Sequence, residues 1–200
     1  RGKTTAIVGT SGSGKTTLIK LLLGFYQPSE GKILVGSTPL SDVSQKAWRA
    51  NCGAVMQDGF IFSDSIASNI AESDDSIDLR KVVESCDTAN ISEFISSLPF
   101  GYNSLVGAQG NGVSQGQKQR LLIARSVYKN PHFVFFDEAT NALDANNERT
   151  IMKKLDNFLI NKTCVIVAHR LSTVKNADQI IVIEKGRIAE IGDHESLVKA

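Results

Sequence analysis

The chain has 200 residues, 42% of them hydrophobic, with 22 Lys plus Arg against 21 Asp plus Glu. That length suits one domain with a buried core and room for an inserted subdomain, and the balanced charge provides no strong overall field to recruit nucleic acid or an anionic membrane. No apolar run approaches the ~18 residues of a bilayer-spanning helix and no signal-peptide pattern opens the chain, so this stretch is expected to be soluble and cytoplasmic by itself.

Ala6-Ile7-Val8 is a short apolar run ending in glycines, and Leu18, Ile19, Leu22 and Leu23 follow at helical spacing up to Gly24. The spacing predicts strand, glycine loop, helix. So early a strand suggests a piece of a longer protein. Short strands are predicted at Lys32 to Val35 and Gly53 to Met56. From about Phe60 to Asn130 the pattern is mainly helical, with Leu79, Val82, Val83 and Cys86 marking one face and Ile91, Phe94, Ile95 and Leu98 another. Phe133 to Phe136 and Cys164 to Val167 are continuous apolar runs, as parallel strands buried on both faces require, with Ile151, Leu155 and Leu159 marking a helix between them. A hairpin around Gly186 closes the pattern, from Ile180 to Ile183 and from Arg187 to Ala189. The expected architecture is one α/β domain: a core of about residues 1–58 and 130–200, with a helical subdomain of about 59–129 inserted into it. Repeats and heptad runs are absent, which excludes solenoids and filaments. Cys52, Cys86 and Cys164 form no paired motif for zinc and are expected to be reduced core thiols.

The sequence Gly9-Thr10-Ser11-Gly12-Ser13-Gly14-Lys15-Thr16 satisfies GxxxxGK[ST] between a predicted strand and helix, with Thr17 following. Glycines let the backbone curl so that its N–H groups face phosphate oxygens, and the helix start adds the positive end of its dipole. Lys15 is expected at the β- and γ-phosphates of ATP, and the Thr16 hydroxyl on magnesium. A glycine-rich turn that binds nothing would need the Lys, the Thr and the flanking elements to coincide by chance. Asp137 and Glu138 lie at the end of a buried apolar strand, the edge at which open α/β sheets bind ligands. Asp137 is the candidate magnesium ligand and Glu138 the candidate general base for an attacking water. An ordinary acidic helix entry is the plainer alternative. His169 follows the next apolar strand and could reach the γ-phosphate and that water, although a lone histidine is more often a surface or core residue. Gln57, after another strand, is a candidate beside magnesium. Ser114, in Val113-Ser114-Gln115-Gly116-Gln117, is a helix N-cap by type, and that helix start could receive a second phosphate.

Taken together these segments resemble the nucleotide-binding domain of ATP-binding cassette (ABC) transporters over essentially the whole chain. The resemblance identifies Gly9 to Thr16 as Walker A, Gln57 as the Q-loop, Val113 to Gln117 as the signature, Phe133 to Glu138 as Walker B, Asn141-Ala142-Leu143-Asp144 as the D-loop and His169 as the switch histidine. It implies a P-loop NTPase (RecA-like) core with a mainly parallel sheet, a partial antiparallel β subdomain and a helical signature subdomain. It further implies a head-to-tail homodimer closing on two Mg–ATP, in which Ser114 and Gly116 of one copy face the phosphate loop of the other. The implied seat of work is the cytoplasmic face of a membrane, against a transmembrane domain.

Gln57 to Phe62, Ser65 to Ile70 and Leu98 to Gly107 are similar to exporters, and Lys118 to Arg125 and Asp144 to Glu148 are most similar to bacterial peptide or bacteriocin exporters, some of which carry a peptidase domain. The expected function is ATP hydrolysis powering export of a peptide, lipid or drug-like substrate. The alternatives are a soluble ABC ATPase without transport and a hydrolytically weak cassette that binds ATP for assembly. The signature departs from the family's LSGGQ at Val113 and Gln115, and Leu105 and Ala108 lie where exporters offer a glutamate. The family's adenine-stacking aromatic precedes its first glycine-loop strand, so these residues are expected to bind ATP more weakly than the parent protein.

Overall fold

The computed structural model describes residues 2–72, 76–107, 110, 112–168 and 174–199. They pack as two compact units, one of Arg1–Ala54, Pro131–Glu138 and Asn161–Ala200, the other of Val55–Asn130 and Ala139–Ile160.

The first unit is built on a sheet whose strands alternate with helices, so its central strands are apolar on both faces. β1 (Thr4–Val8) leads through the glycine loop to α1 (Lys15–Leu22). A short hairpin follows, β2 (Leu34–Val35) with β3 (Thr38–Pro39), then α2 (Gln45–Asn51) and β4 (Cys52–Val55). Later in the chain come β7 (Phe133–Asp137), β8 (Thr163–Val167), β9 (Gln179–Glu184), β10 (Arg187–Gly192) and the terminal α8 (His194–Lys199). The strand order is β10-β9-β1-β8-β7-β4. β1 runs parallel to both β8 and β9, and β7 parallel to β8, while β10 closes one edge antiparallel to β9. Ala6, Ile7, Val134, Phe135, Phe136, Cys164, Ile166, Ile180 and Ile183 are all buried, each large aliphatic side chain contributing about 1.5–3 kcal/mol. Trp48 of α2 lies 4.8 Å from the Phe133 ring and donates its indole N–H to the Leu22 carbonyl at 3.0 Å, so its polar end is satisfied inside the unit.

The second unit is mainly helical: α3 (Ile66–Ala71), α4 (Leu79–Thr88), α5 (Ser92–Ser96), α6 (Gln115–Lys129) and α7 (Ala145–Leu159). It also holds a two-stranded antiparallel pair, β5 (Asp64–Ser65) with β6 (Leu105–Val106), whose strands flank α3 to α5 in the stretch for which periodicity predicts helices. The face predicted for α4 is half right. Val82 and Cys86 are fully buried, but Leu79 and Val83 are exposed, and the line is completed by Ser85, whose hydroxyl donates to the Lys81 carbonyl at 2.7 Å. A small residue that returns its polar atom to its own helix fits where a leucine would not. On α6, Leu121, Ala124 and Tyr128 form a buried face. The predicted strand at Lys32 to Val35 shrinks to the two residues of β2.

The three cysteines are free and buried, and burial alone pushes the Cys86 thiol up to about 12. Among the described residues no helix is long and apolar enough to cross a membrane.

Candidate active site

Register across the sheet brings the phosphate loop and the two carboxylates to one edge. Ile7 of β1 pairs with Val167 of β8, and Val167 pairs with Asp137 of β7, so the three residues form a row across parallel strands. At about 4.8 Å per strand, the β1 and β7 positions lie roughly 10 Å apart. One residue beyond the row, the Ala168 N–H donates to the Ile7 carbonyl at 3.2 Å and the Glu138 N–H to the Val167 carbonyl at 3.3 Å. The three chains therefore leave the sheet together, β1 into Gly9, β7 into Glu138 and β8 toward His169, which lies outside the described residues.

The loop that leaves β1 needs its glycines. A Cβ at Gly9 would collide with the Ile183 carbonyl oxygen and come within 2.8 Å of the Ser13 hydroxyl, so only glycine allows the approach. Gly14, at φ 103°, turns the chain into α1 as its N-cap. The loop curls on itself through Ser13 N–H to the Thr10 carbonyl at 3.2 Å. It is braced from β9 and β10 by a Gly186 N–H donated to the Ser13 carbonyl at 3.1 Å. Lys185 and Gly186 both have positive φ, the two-residue hairpin turn that the right-handed strand twist favours. This brace is a support that motif reading missed; the only signal for it was the turn residue Gly186 itself.

Lys15 is nearly buried at the start of α1, and its ammonium donates to the Gly9 and Thr10 carbonyls at 2.9 Å each. An ammonium has three donors, which leaves one for a phosphate oxygen. The first N–H groups of α1 have no partner inside the helix and face the same turn. Thr16 is partly buried on that first turn, while Thr17 is exposed. Ser13 is buried, and its hydroxyl finds no hydrogen-bond partner among the described residues. A curled loop with an orphaned hydroxyl and a lysine at its mouth is the donor set a polyphosphate requires. Magnesium fits the same edge by chemistry: the fully buried Asp137 carboxylate and the Thr16 hydroxyl are hard oxygen donors, and this ion typically takes one or two protein ligands beside phosphates and water.

Glu138 sits in an uncommon backbone conformation at this edge. Its φ is 54°, a left-handed conformation that costs a non-glycine residue on the order of 1–3 kcal/mol and persists where surrounding structure imposes it. Its N–H is tied to the Val167 carbonyl across the sheet.

The remaining candidates belong to the second unit. Gln57 is exposed in the turn after β4. Ser114 caps α6, its hydroxyl accepting the Gln117 N–H at 3.2 Å while the Gln117 side chain accepts the Ser114 N–H at 2.8 Å. This reciprocal pair fixes the helix entry and leaves other first-turn N–H groups facing solvent. Val113 is partly exposed and Gln115 exposed. A Cβ at Gly116 would lie 3.2 Å from the Ala142 carbonyl. In the loop before α7, Leu143 is buried and Asp144 caps the helix, accepting the Asn146 and Asn147 N–H groups at 3.1 and 3.0 Å. The hydrogen bonds from Asn147 hold the Asp144 carboxyl below the usual carboxylate range.

Comparison with known proteins agrees with this geometry. The family model described as ABC transporter matches residues 1–141. The chain is 43% identical over 198 residues to an ATP-dependent lipid A-core flippase of Chromobacterium violaceum, covering 99% of the chain and 34% of that protein. It is 46% identical over 198 residues to the Toxin RTX-I translocation ATP-binding protein of Actinobacillus pleuropneumoniae, covering 99% of the chain and 28% of that protein. The solved structure of a bacterial Atm1-family ABC exporter with ATP bound superposes with a TM-score of 0.93 at 42% identity, over 99% of the chain and 35% of that structure. The chain thus spans about a third of the length of these three relatives.

Proposed function

Because the chain belongs to the ABC transporter family, as its ATPase domain, we propose that it hydrolyses ATP to drive export across a membrane, with the residues of the first unit holding the nucleotide. Glu138 carries this reading: a glutamate kept in a costly backbone conformation one residue after a fully buried aspartate, on the sheet edge that bears the phosphate loop.

The loop N–H groups and Lys15 bind the β- and γ-phosphates, and Ser13 offers its hydroxyl to the same oxygens. Thr16 and Asp137 would hold magnesium, with Gln57 assigned beside it, and the ion would supply positive charge against the phosphate oxygens. Glu138 accepts a proton from the attacking water as the terminal phosphate is displaced, yielding ADP and phosphate, and His169 is assigned to orient that water. The exposed start of α6, with Ser114 and Gly116, is the anion-binding helix terminus that a second copy's nucleotide would engage. The proposed assembly is accordingly a head-to-tail homodimer closed by ATP, docked on a transmembrane part at the cytoplasmic face. Relatives named for lipid A-core and for a toxin differ in cargo at similar identity, so cargo choice is assigned to parts of the protein outside this domain. A peptide cargo is the narrower proposal, from the wording of the α6 segment.

The test is Glu138→Gln in the whole protein. Turnover should fall by about 10²–10⁴-fold, the usual contribution of a general base, with ATP binding retained. Undiminished turnover would remove the base assignment.

A further inference from the structure

Gln119 lies on α6 beyond Ser114 and is 8% exposed. Its side-chain carbonyl accepts the Ala142 N–H at 3.0 Å, from the loop that ends in Asp144. The same peptide segment presses on the first turn of α6, where a side chain at Gly116 would crowd the Ala142 carbonyl. One hydrogen bond therefore ties the loop to the helix that carries Ser114, and the absence of a side chain at Gly116 leaves room for the loop backbone beside it.

The loop is tied from its other side as well. Thr140 donates its hydroxyl to the buried Glu148 at 3.0 Å, and Asp144 is held by Asn147, whose side-chain N–H donates at 2.6 Å. Asn147 in turn accepts from the Asn90 side chain at 3.0 Å, and the Asn90 carbonyl accepts from Arg120 at 2.8 Å. Arg120 neighbours Gln119 on α6, so the circuit closes. Filling space does not explain an amide at position 119, because a methionine of similar length and volume would pack there without burying a polar group.

We propose that Gln119 is a positioning residue that locks the 140–144 loop to the signature helix, so that Ser114 meets the partner copy's nucleotide with that loop held beside it as one rigid surface. This rests on the two-copy ATPase reading above. Loss of the lock leaves each element folded but lets the loop drift, and a misplacement of about 1 Å at a reacting site can cost turnover without weakening ground-state binding.

The experiment compares the whole protein with its Gln119→Met variant by hydrogen exchange and by steady-state ATP hydrolysis. The Ala142 amide should exchange about tenfold faster, with the α6 amides unchanged. The kcat should fall about fivefold or more, with KM for ATP within about twofold, because the phosphate loop is intact. Unchanged Ala142 exchange, unchanged kcat, or a rise in KM alone would each overturn the inference. So would faster exchange throughout α6 and α7, which marks lost packing instead. Glu138→Gln run in parallel tests hydrolysis separately: turnover surviving there sinks the base assignment, while the Ala142 exchange rate still reports the Gln119 contact.

Discussion

Replacing Glu138 with asparagine should make the protein more stable and nearly inactive at once. The left-handed φ of 54° at this residue costs on the order of 1–3 kcal/mol for most side chains, and asparagine, which tolerates that region, should recover about 1 kcal/mol of it. For a folding unit of this size, about 1 kcal/mol raises the thermal midpoint by roughly 2–4 °C. The donated bond from the residue 138 N–H to Val167 is backbone and survives the change. Glu138→Gln is the control, since it removes the carboxylate without easing the backbone; its midpoint should stay within about 1 °C of the parent. Calorimetry of the three proteins, with ATP turnover on the same samples, gives the answer. Both variants should lose about 10²–10⁴-fold in kcat. An asparagine variant no more stable than the glutamine variant would refute the strain argument, and one that still turned over would refute the catalytic one.

Gly9→Ala should abolish nucleotide binding measured by titration calorimetry, because the new methyl meets the Ile183 carbonyl, which is backbone and has no way to retreat; an unchanged affinity would show that β9 does not constrain the loop. Asn69 is 1% exposed, accepts the Phe62 N–H at 2.8 Å, donates to the Phe62 and Ser65 carbonyls at 3.0 Å each, and accepts from Arg125 at 3.2 Å. Asn69→Leu should cost on the order of 3 kcal/mol or more by denaturant titration, since it strands several buried partners; a loss under about 1 kcal/mol would contradict the structure. The lowered Asp144 pKa means that its folded carboxyl is more acidic than the unfolded one. Its contribution to stability is present above the ordinary carboxylate range and is lost as pH falls through the lowered folded value. The thermal-midpoint gap between parent and Asp144→Ala should therefore be constant near neutrality and shrink under strong acid, and a gap independent of pH would remove the charged cap.

The motifs were legible because their chemistry is local. Thr4 to Leu22 is a strand, a turn and a helix in consecutive residues, and Ser114 is a helix N-cap by residue type, so the local sequence defines both. The apolar runs of β7 and β8 announced strands covered on both faces for the same reason: burial on a parallel sheet is written into every residue of the strand. Other features depend on partners distant in the chain. Periodicity marks Leu79 and Val83 as apolar but carries no information about which neighbours cover them, and Ser85 took the buried place. Nothing near residues 64–65 reveals that they pair with 105–106.

By itself, then, the chain's order of residues determined that a phosphate loop, two acidic positions and a capped helix would exist, since propensity, capping and backbone freedom act over a few residues. Only tertiary structure decided that Asp137, Val167 and Ile7 share a row, that Gly186 braces Ser13, that Glu138 is held at positive φ, and that Gln119 reaches Ala142. Those contacts span tens of residues or more, and they form only when strand register and helix packing place the two ends together.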